Sequence, residues 1–329
     1  MPSQSEMLTG AIAPTESAGS GFVRAQWLAV ERCPACDSSD RVRIGTIPDL
    51  HYAFGAERIP LPAAGIEVAT CRDCGLVYKS PVPTPAFLAG VFGRQNGAKW
   101  MEPHDFGEEA VILRQLMGRS EFDLLDVGAA NGALLKACAA IGVNGRRSAL
   151  DVVRYPGIAE HLAGECIEGF LETPELSWSH QPYDMVTLFD VLEHFYRPQQ
   201  AFTNLRSLVR QGGLVFVETG NSRRFWPTRF GIHHWWYVRL LEHHIFWSRR
   251  PLEKIAATHG FEIVFWNEGR HKSRRQLTLA RTATDLLKTG VYMVEANSYV
   301  WIARLFGKDG NQPWNPFAKD HFQACLRRT

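Results

Sequence analysis

The residues of this chain with the clearest chemical signature are four cysteines, in the pairs Cys33-Pro-Ala-Cys36 and Cys71-Arg-Asp-Cys74. A tight CxxC turn lets two thiolates reach one ion, and a second such turn completes a tetrahedron of sulfur. Gly75, directly after the second pair, supplies the permissive backbone that a knuckle needs. The expectation is one structural zinc on Cys33, Cys36, Cys71 and Cys74, because four sulfurs leave no position open for a reaction. A nucleic-acid-binding ribbon is the alternative use of the same ligands. Cys138, Cys166 and Cys325 lack such spacing and read as small buried hydrophobes.

A second constellation is Asp126-Val127-Gly128-Ala129-Ala130-Asn131-Gly132, set between an apolar run and a helical pattern. Such a loop needs small residues because its ligand approaches the backbone closely. Nicotinamide enzymes use similar loops, so the small residues alone do not choose the ligand. Here the acidic residue stands immediately before the glycines. Asp151 follows Gly132 by 19 residues, near the end of the next apolar run. A carboxylate there can accept hydrogen bonds from both hydroxyls of a ribose, although as a solvated strand-end residue it needs no ligand.

The third constellation runs from Tyr183 to His194 and reads YDMVTLFDVLEH. Together the motifs resemble those of class I S-adenosylmethionine-dependent methyltransferases. The loop is similar to their D/E-x-G-x-G-x-G signature, with Ala130 at the middle glycine. The Tyr183 segment is similar to the fourth-strand motif of the small-molecule enzymes, which ends in "vLEH". Gly212-Gly213, and Phe246-Trp247-Ser248 leading to Gly260-Phe261, extend the resemblance over roughly residues 121–268. The cysteine pairs and Gly75–Tyr78 resemble the zinc-bearing N-terminus of deoxysugar C-methyltransferases and their relatives. The resemblance implies S-adenosylmethionine as cofactor, bound by Asp126, Gly128, Ala129, Ala130, Gly132, Asp151, Phe189 and Asp190. It places Phe170 near the adenine, where the ring either stacks on the base or packs in the core.

Methyl transfer from a sulfonium is an in-line displacement with an activated leaving group, so the protein mainly positions the acceptor. A base is needed only when the acceptor keeps its proton at neutral pH, and histidine suits that work. His194 stands at the carboxyl end of the fourth strand, either as that base or as part of the cofactor pocket. In the sugar C-methyltransferases a Tyr and a Glu-His pair precede a similar "FS" helix start, and the histidine is a proposed base. The same resemblance therefore implies His243 as base, with Glu242 beside it and Tyr237 nearby. The histidines at 233, 234, 243 and 244 fit no familiar metal-ligand spacing. The aromatic stretch 225–247, with Trp226, Trp235 and Trp236, walls a ring-shaped acceptor or caps the sheet. Arg223, Arg224, Arg229, Arg239 and the basic run 270–275 hold an anionic group or form a solvated face. The acceptor is expected to be a small molecule, anionic or aromatic.

The elements that must position these residues can be read from periodicity. Strands are predicted at 122–127, 148–153, 166–169, 183–189, 214–217, 261–266 and 321–327. Helices are predicted after Gly132, from Pro198 to the Gly212-Gly213 stop, from a Ser248 cap through Ala257, and over about 274–305. The alternation of strands and helices is that of a parallel sheet. The expected fold is α/β: a Rossmann-like, seven-stranded class I methyltransferase sheet with a small N-terminal zinc-binding module and a helical C-terminal insert. The expected divisions are a disordered lead at 1–22, the zinc module at 23–82, a connector or lid at 83–118, and the methyltransferase domain at 119–329. The insert takes the place of the larger C-terminal domain of the sugar enzymes.

The totals narrow the function further. With 45% hydrophobic and 21% charged residues the chain is an ordinary globular one, and a net charge of +2 disfavours a dedicated nucleic-acid binder. The most apolar stretch, 286–306, is broken by Lys288, Glu295 and Arg304, and the first 22 residues lack the pattern of a signal peptide, so a cytoplasmic protein is expected. Two other functions fit the same motifs. One is an RNA methyltransferase with a zinc ribbon, which the Asp190-Val191-Leu192 sequence disfavours because many base N-methyltransferases carry Asn/Asp-Pro-Pro-aromatic there. The other is a non-catalytic zinc-stabilised binding protein, whose support is Ala130 in place of glycine.

Overall fold

A computed structural model describes residues 26–54, 57–94, 104–174, 181–224, 232, 235–269, 286–288, 290 and 319–329. The expected lead at 1–22 lies outside them, as does the expected helical insert apart from 286–288 and 290.

The N-terminal part is built of short strands: β1 (Trp27–Leu28), β2 (Arg41–Ile47), β3 (His51–Phe54), β4 (Glu57–Pro60), β5 (Ile66–Cys71), β6 (Val77–Ser80) and β7 (Val82–Pro83). Helices α1 (Pro85–Arg94) and α2 (Gly107–Met117) follow in the region read as a connector. Then come β8 (Leu124–Val127), α3 (Ala133–Ala140), β9 (Arg147–Asp151), β10 (Cys166–Glu168), β11 (Tyr183–Phe189), α4 (Pro198–Leu208) and β12 (Val209–Gly220). The chain continues through α5 (Trp236–Arg239), β13 (Ile245–Phe246), α6 (Arg249–Thr258), β14 (Phe261–Gly269) and β15 (His321–Arg328).

Seven strands form one sheet in the order β10-β9-β8-β11-β12-β15-β14. The pairs from β10 to β12 are parallel, and β15 runs antiparallel to both its neighbours. Every residue of β8 is buried, as are the first six of β11. Strands buried on consecutive residues, mostly apolar, are what a sheet covered on both faces demands. The chain steps outward from β8 to β10, then returns to β11 on the other side of β8. That reversal opens a crevice at the carboxyl ends of β8 and β11, where open α/β sheets bind their ligands.

Several boundaries differ from the sequence reading. The second strand ends at Asp151, leaving Val152 and Val153 uncovered at 40% and 51% exposure. The first begins at Leu124 and the third stops at Glu168. The Gly212-Gly213 pair does not end the preceding helix, which stops at Leu208; it lies inside β12. Gly212 adopts φ 73° and lets the chain turn between the Val209 pair and the pairing with β11 that resumes at Leu214. β14 runs to Gly269 because β15 pairs with it along its whole length. Ser248 occupies the N-cap position of α6, but its side chain makes no capping bond.

The smaller sheet has the order β13-β6-β5-β2, all antiparallel. Its edge strand β13 comes from the distant segment between β12 and α6. The backbone of Lys79 extends the seam by donating to the His244 carbonyl at 2.9 Å. Cys33, Cys71, Cys74 and Tyr78 share one buried cluster with Phe202, Trp247 and Leu252 of the large domain.

Candidate functional site

The loop after β8 is shaped by three left-handed residues, Gly128 (φ 72°), Ala130 (φ 45°) and Gly132 (φ 77°). Ala130 takes the backbone conformation that glycine favours, at a cost of roughly 1–2 kcal/mol, so the loop keeps its path despite the substitution. The loop is tied to β9 twice: Gly128 donates to the Leu150 carbonyl, and Ala130 donates to Asp151 Oδ2, both at 2.8 Å. Asp151 Oδ1 also accepts the Val153 N–H at 3.2 Å. Burial pushes the Asp151 carboxyl above its ordinary range against these backbone donors. Asp126, at the floor, accepts from the Thr187 hydroxyl at 2.7 Å, and burial raises its pKa to about 7. Ala129 is buried beside it.

On the other side of the crevice, Phe189 ends β11 in ring contact with Phe106 and Phe216, at centroid distances of 5.4 and 5.5 Å. Phe106 precedes α2, so the region read as a connector touches the crevice wall. Asp190 follows at φ 52° with its side chain 44% exposed. Desolvation by the groups around the carboxyl, with Glu193 adding to the effect, pushes its pKa upward against the pull of His321. Phe170 is half-buried in the turn beyond β10.

Beyond Asp190, a short 3-10 turn at Leu192–His194 delivers Glu193 and His194. Glu193 is fully buried and was not singled out from the sequence. It accepts hydrogen bonds from Thr219 Oγ1 at 2.7 Å and from the Tyr237 hydroxyl. Its Oε1 lies 3.9 Å from His243 Nε2. Tyr237 also receives the Gly220 N–H at 3.0 Å, and a Cβ on Gly220 would come within 2.4 Å of its ring. Burial raises the Tyr237 pKa well above its ordinary value, so the hydroxyl stays a donor.

His243 is brought to this group by the turn after α5. Its Nδ1 lies 3.1 Å from the Tyr237 carbonyl, and its ring meets that of His194 edge-on at 4.9 Å. Burial, with His194 and Lys79 nearby, holds its pKa well below the ordinary histidine value. His194 Nδ1 lies 3.0 Å from the Glu242 carbonyl. The Glu242 side chain points elsewhere: it accepts from the Tyr52 hydroxyl at 3.3 Å and opposes the lowering that burial imposes on the pKa of Lys79. The carboxylate beside the His243 ring is thus that of Glu193, and Glu242 holds His194 through its backbone. The His244 ring meets that of Tyr196 at a tilt of 54° with centroids 4.2 Å apart, and His321, which opens β15, faces Asp190 from 3.9 Å. His233, His234, Trp226, Arg229 and the run 270–275 lie outside the described residues. Arg224 pairs with Glu268 and Arg239 with Asp49.

The four cysteines converge. Cys33 and Cys74 sulfurs are 3.5 Å apart, as are those of Cys36 and Cys71, and all four lie within 4.8 Å of one another. Asp37 (φ 58°) and Gly75 (φ 83°) give both knuckles a left-handed turn just after the second cysteine. The Leu76 N–H points at Cys74 Sγ, at 3.4 Å. The contact between Cys33 and Cys74 raises the Cys33 thiol and lowers that of Cys74. A zinc ion with sulfur ligands at about 2.3 Å requires sulfurs about 3.8 Å apart, and this donor set fits it.

The sheet order and the loop geometry are those of a class I methyltransferase. Residues 101–264 match the family model of a methyltransferase domain, and this part of the chain is such a domain, of the class that takes S-adenosylmethionine as methyl donor. The ubiquinone biosynthesis O-methyltransferase of Vibrio atlanticus (strain LGP32) is 30% identical over 126 residues, which cover 37% of this chain and 52% of that enzyme. The chain thus spans about half the length of this curated relative. Among solved structures, the Burkholderia thailandensis 1,6-didemethyltoxoflavin-N1-methyltransferase aligns at 13% identity and a TM-score of 0.48, over 85% of this chain and all of that one. The magnesium protoporphyrin IX methyltransferase of Synechocystis PCC 6803 aligns at 11% identity and a TM-score of 0.38, over 68% and 78%. No helix among the described residues is long and apolar enough to cross a membrane.

Proposed function

We propose that the chain transfers the methyl group of S-adenosylmethionine to a small-molecule acceptor, with oxygen or carbon as the methylated atom. The observation that carries this reading is the loop at Gly128, Ala130 and Gly132 closed onto the Asp151 carboxylate. The carboxylate keeps lone pairs for the two ribose hydroxyls. Val152 and Val153, uncovered next to Asp151, offer the apolar surface that an adenine would cover. The region of likeness to an O-methyltransferase of ubiquinone biosynthesis supports oxygen and a small molecule.

In the same reading, the cluster of Glu193, His194 and His243 handles the acceptor's proton. His243 stays neutral, which is the state a proton acceptor needs, but so weak a base can deprotonate only an acceptor that is already acidified. The four cysteines hold a structural zinc that takes no part in the reaction. Two measurements test these statements. Calorimetry should show one S-adenosylmethionine bound per chain, and no binding at millimolar concentration would refute the reading. Elemental analysis of freshly purified protein should find one zinc per chain, and less than about half an equivalent would refute the zinc assignment.

A further inference from the structure

The two cysteine knuckles are pinned to the large domain from different helices. Gln199 of α4 donates to the Ala35 carbonyl inside the first knuckle. Arg250 and Lys254 of α6 donate to the Asp73 carbonyl inside the second, at 2.9 and 3.4 Å. Between these anchors the packing does not close. A half-open cavity of about 240 Å³ remains, lined by Ala35, Cys36, Asp73, Gln199, Lys254 and Thr258.

The four sulfurs differ in access. Cys33, Cys71 and Cys74 are at most 2% exposed, whereas Cys36 is half-buried and stands in the cavity wall. A small solute entering the cavity therefore meets Cys36 first. Across the site its neighbour is Cys71, with the two sulfurs 3.5 Å apart. A disulfide has its sulfurs about 2.05 Å apart, so an approach of about 1.5 Å would join them. Cys33 and Cys74 have the same spacing but are shut off by burial.

We propose that Cys36 is a peroxide-reactive thiolate with Cys71 as its resolving partner, which makes the knuckles an oxidation-sensitive site as well as a structural one. A metal-bound cysteine is held as its thiolate, the nucleophilic form. The release of zinc rests on the zinc assignment above, while the reaction of the two sulfurs does not.

The Cys36 sulfur attacks one oxygen of hydrogen peroxide. The oxygen–oxygen bond breaks, hydroxide leaves with its electron pair, and Cys36 becomes a sulfenic acid. The Cys71 sulfur then attacks the Cys36 sulfur, the sulfur–oxygen bond breaks, and a second hydroxide leaves. Two thiolates have given two electrons to one peroxide, and both hydroxides take protons from solvent to become water. A disulfide offers no anionic ligand, so half of the donor set for zinc is lost. The effect has a path to the acceptor cluster. Cys71 ends β5, β5 pairs with β6, and Lys79 of β6 donates to the His244 carbonyl. A loosened knuckle acts on the ladder that borders the His243 turn.

The test treats the full chain, its zinc content measured first, with hydrogen peroxide at neutral pH. A chromogenic chelator follows zinc release against a peroxide-free sample, and peptide mass mapping after alkylation of the remaining thiols identifies the linked cysteines. The expected first product is a Cys36–Cys71 disulfide, formed in step with zinc release, with Cys138, Cys166 and Cys325 still free. Thr258→Phe adds a ring to the cavity wall at the exposed end of α6. It should slow both events by about fivefold or more through lost access, with the zinc content unchanged. A first linkage between Cys33 and Cys74, first oxidation at half-buried Cys166, or no linkage at millimolar peroxide would each overturn the proposal. So would an unchanged rate in Thr258→Phe. The map of the unaltered chain decides the first three outcomes even if the variant fails to fold. Protein purified without zinc would fail the zinc assignment, and the same map would still test the cysteine pair.

Discussion

The backbone N–H of Ala130 lies 2.8 Å from Asp151 Oδ2, so the carboxylate that ends the second sheet strand also holds the loop that follows the first. Asp151→Ala removes this support along with the proposed ribose contacts. A hydrogen bond to a charged group is worth about 1.5–3 kcal/mol, so S-adenosylmethionine affinity should fall tenfold or more. Asp151→Asn keeps one acceptor and should lose less. Calorimetric affinities unchanged in a folded Asp151→Ala chain would contradict the assignment.

Gly128 is constrained twice. Its φ of 72° suits glycine, and a Cβ there would approach Val191 Cγ2 to 2.5 Å. Gly128→Ala should therefore lose about 1–2 kcal/mol from the backbone alone, with more from the contact. Pairing it with Val191→Ala should recover the contact part only. Thermal melts of the single and double variants give both numbers; an unshifted melting temperature in Gly128→Ala would show that the loop has another path.

The acceptor cluster predicts a split between turnover and cofactor binding. His243→Ala should lower turnover by about 10²–10⁴-fold, the range for a group handling the reacting proton, and leave S-adenosylmethionine affinity intact. His194→Ala serves as comparison: a rise in the cofactor dissociation constant would place that ring in the cofactor pocket. Near-normal turnover of His243→Ala with the true acceptor would remove the residue from the chemistry.

Lys79 predicts a pH signature. Its side chain is buried, its ammonium donates to the Leu240 carbonyl at 2.6 Å, and burial draws its pKa down to about 7 against the pull of Glu242. The unfolded chain holds the same proton up to about pH 10.4. Between these values the unfolded state binds more protons, so native stability should rise with pH. The penalty is complete below pH 7 and fades as the pH climbs above it. Urea midpoints of wild type relative to Lys79→Met should therefore increase from about pH 7 to pH 10; a flat or falling difference would mean that the ammonium is better solvated than its burial indicates.

The features legible in the sequence are the local ones. A glycine loop after an apolar run, an unbroken strand from Tyr183 to Phe189, and paired cysteines each carry their signal within a dozen residues. Strand ends were less legible because partners set them: β14 reaches Gly269 only because β15 lies beside it. β13 could not be read at all, since two residues, Ile245 and Phe246, give no period, and their partners Tyr78 and Val77 are far away in sequence. Glu193 was part of a recognised motif, yet its burial and its closeness to His243 emerge only when Thr219 and Tyr237 close around it. The resemblance to the sugar C-methyltransferases pairs Glu242 with His243, whereas the turn sends the Glu242 carboxylate toward Tyr52 and its carbonyl toward His194.

The pairing of β13 with β6 has a consequence for how the gene can be cut. A deletion of residues 26–82 would leave the seven-stranded sheet uninterrupted, but would strip Ile245 and Phe246 of their hydrogen-bonding neighbours and remove the donor to the His244 carbonyl. The segment carrying His243 would keep its bonds to Glu193 and His194 but lose the sheet edge on which Ile245 and Phe246 are laid. A truncated protein of this kind should still take up the nucleoside while losing catalysis, so a cysteine knuckle remote from the methyl group becomes a requirement for turnover through the strand it anchors.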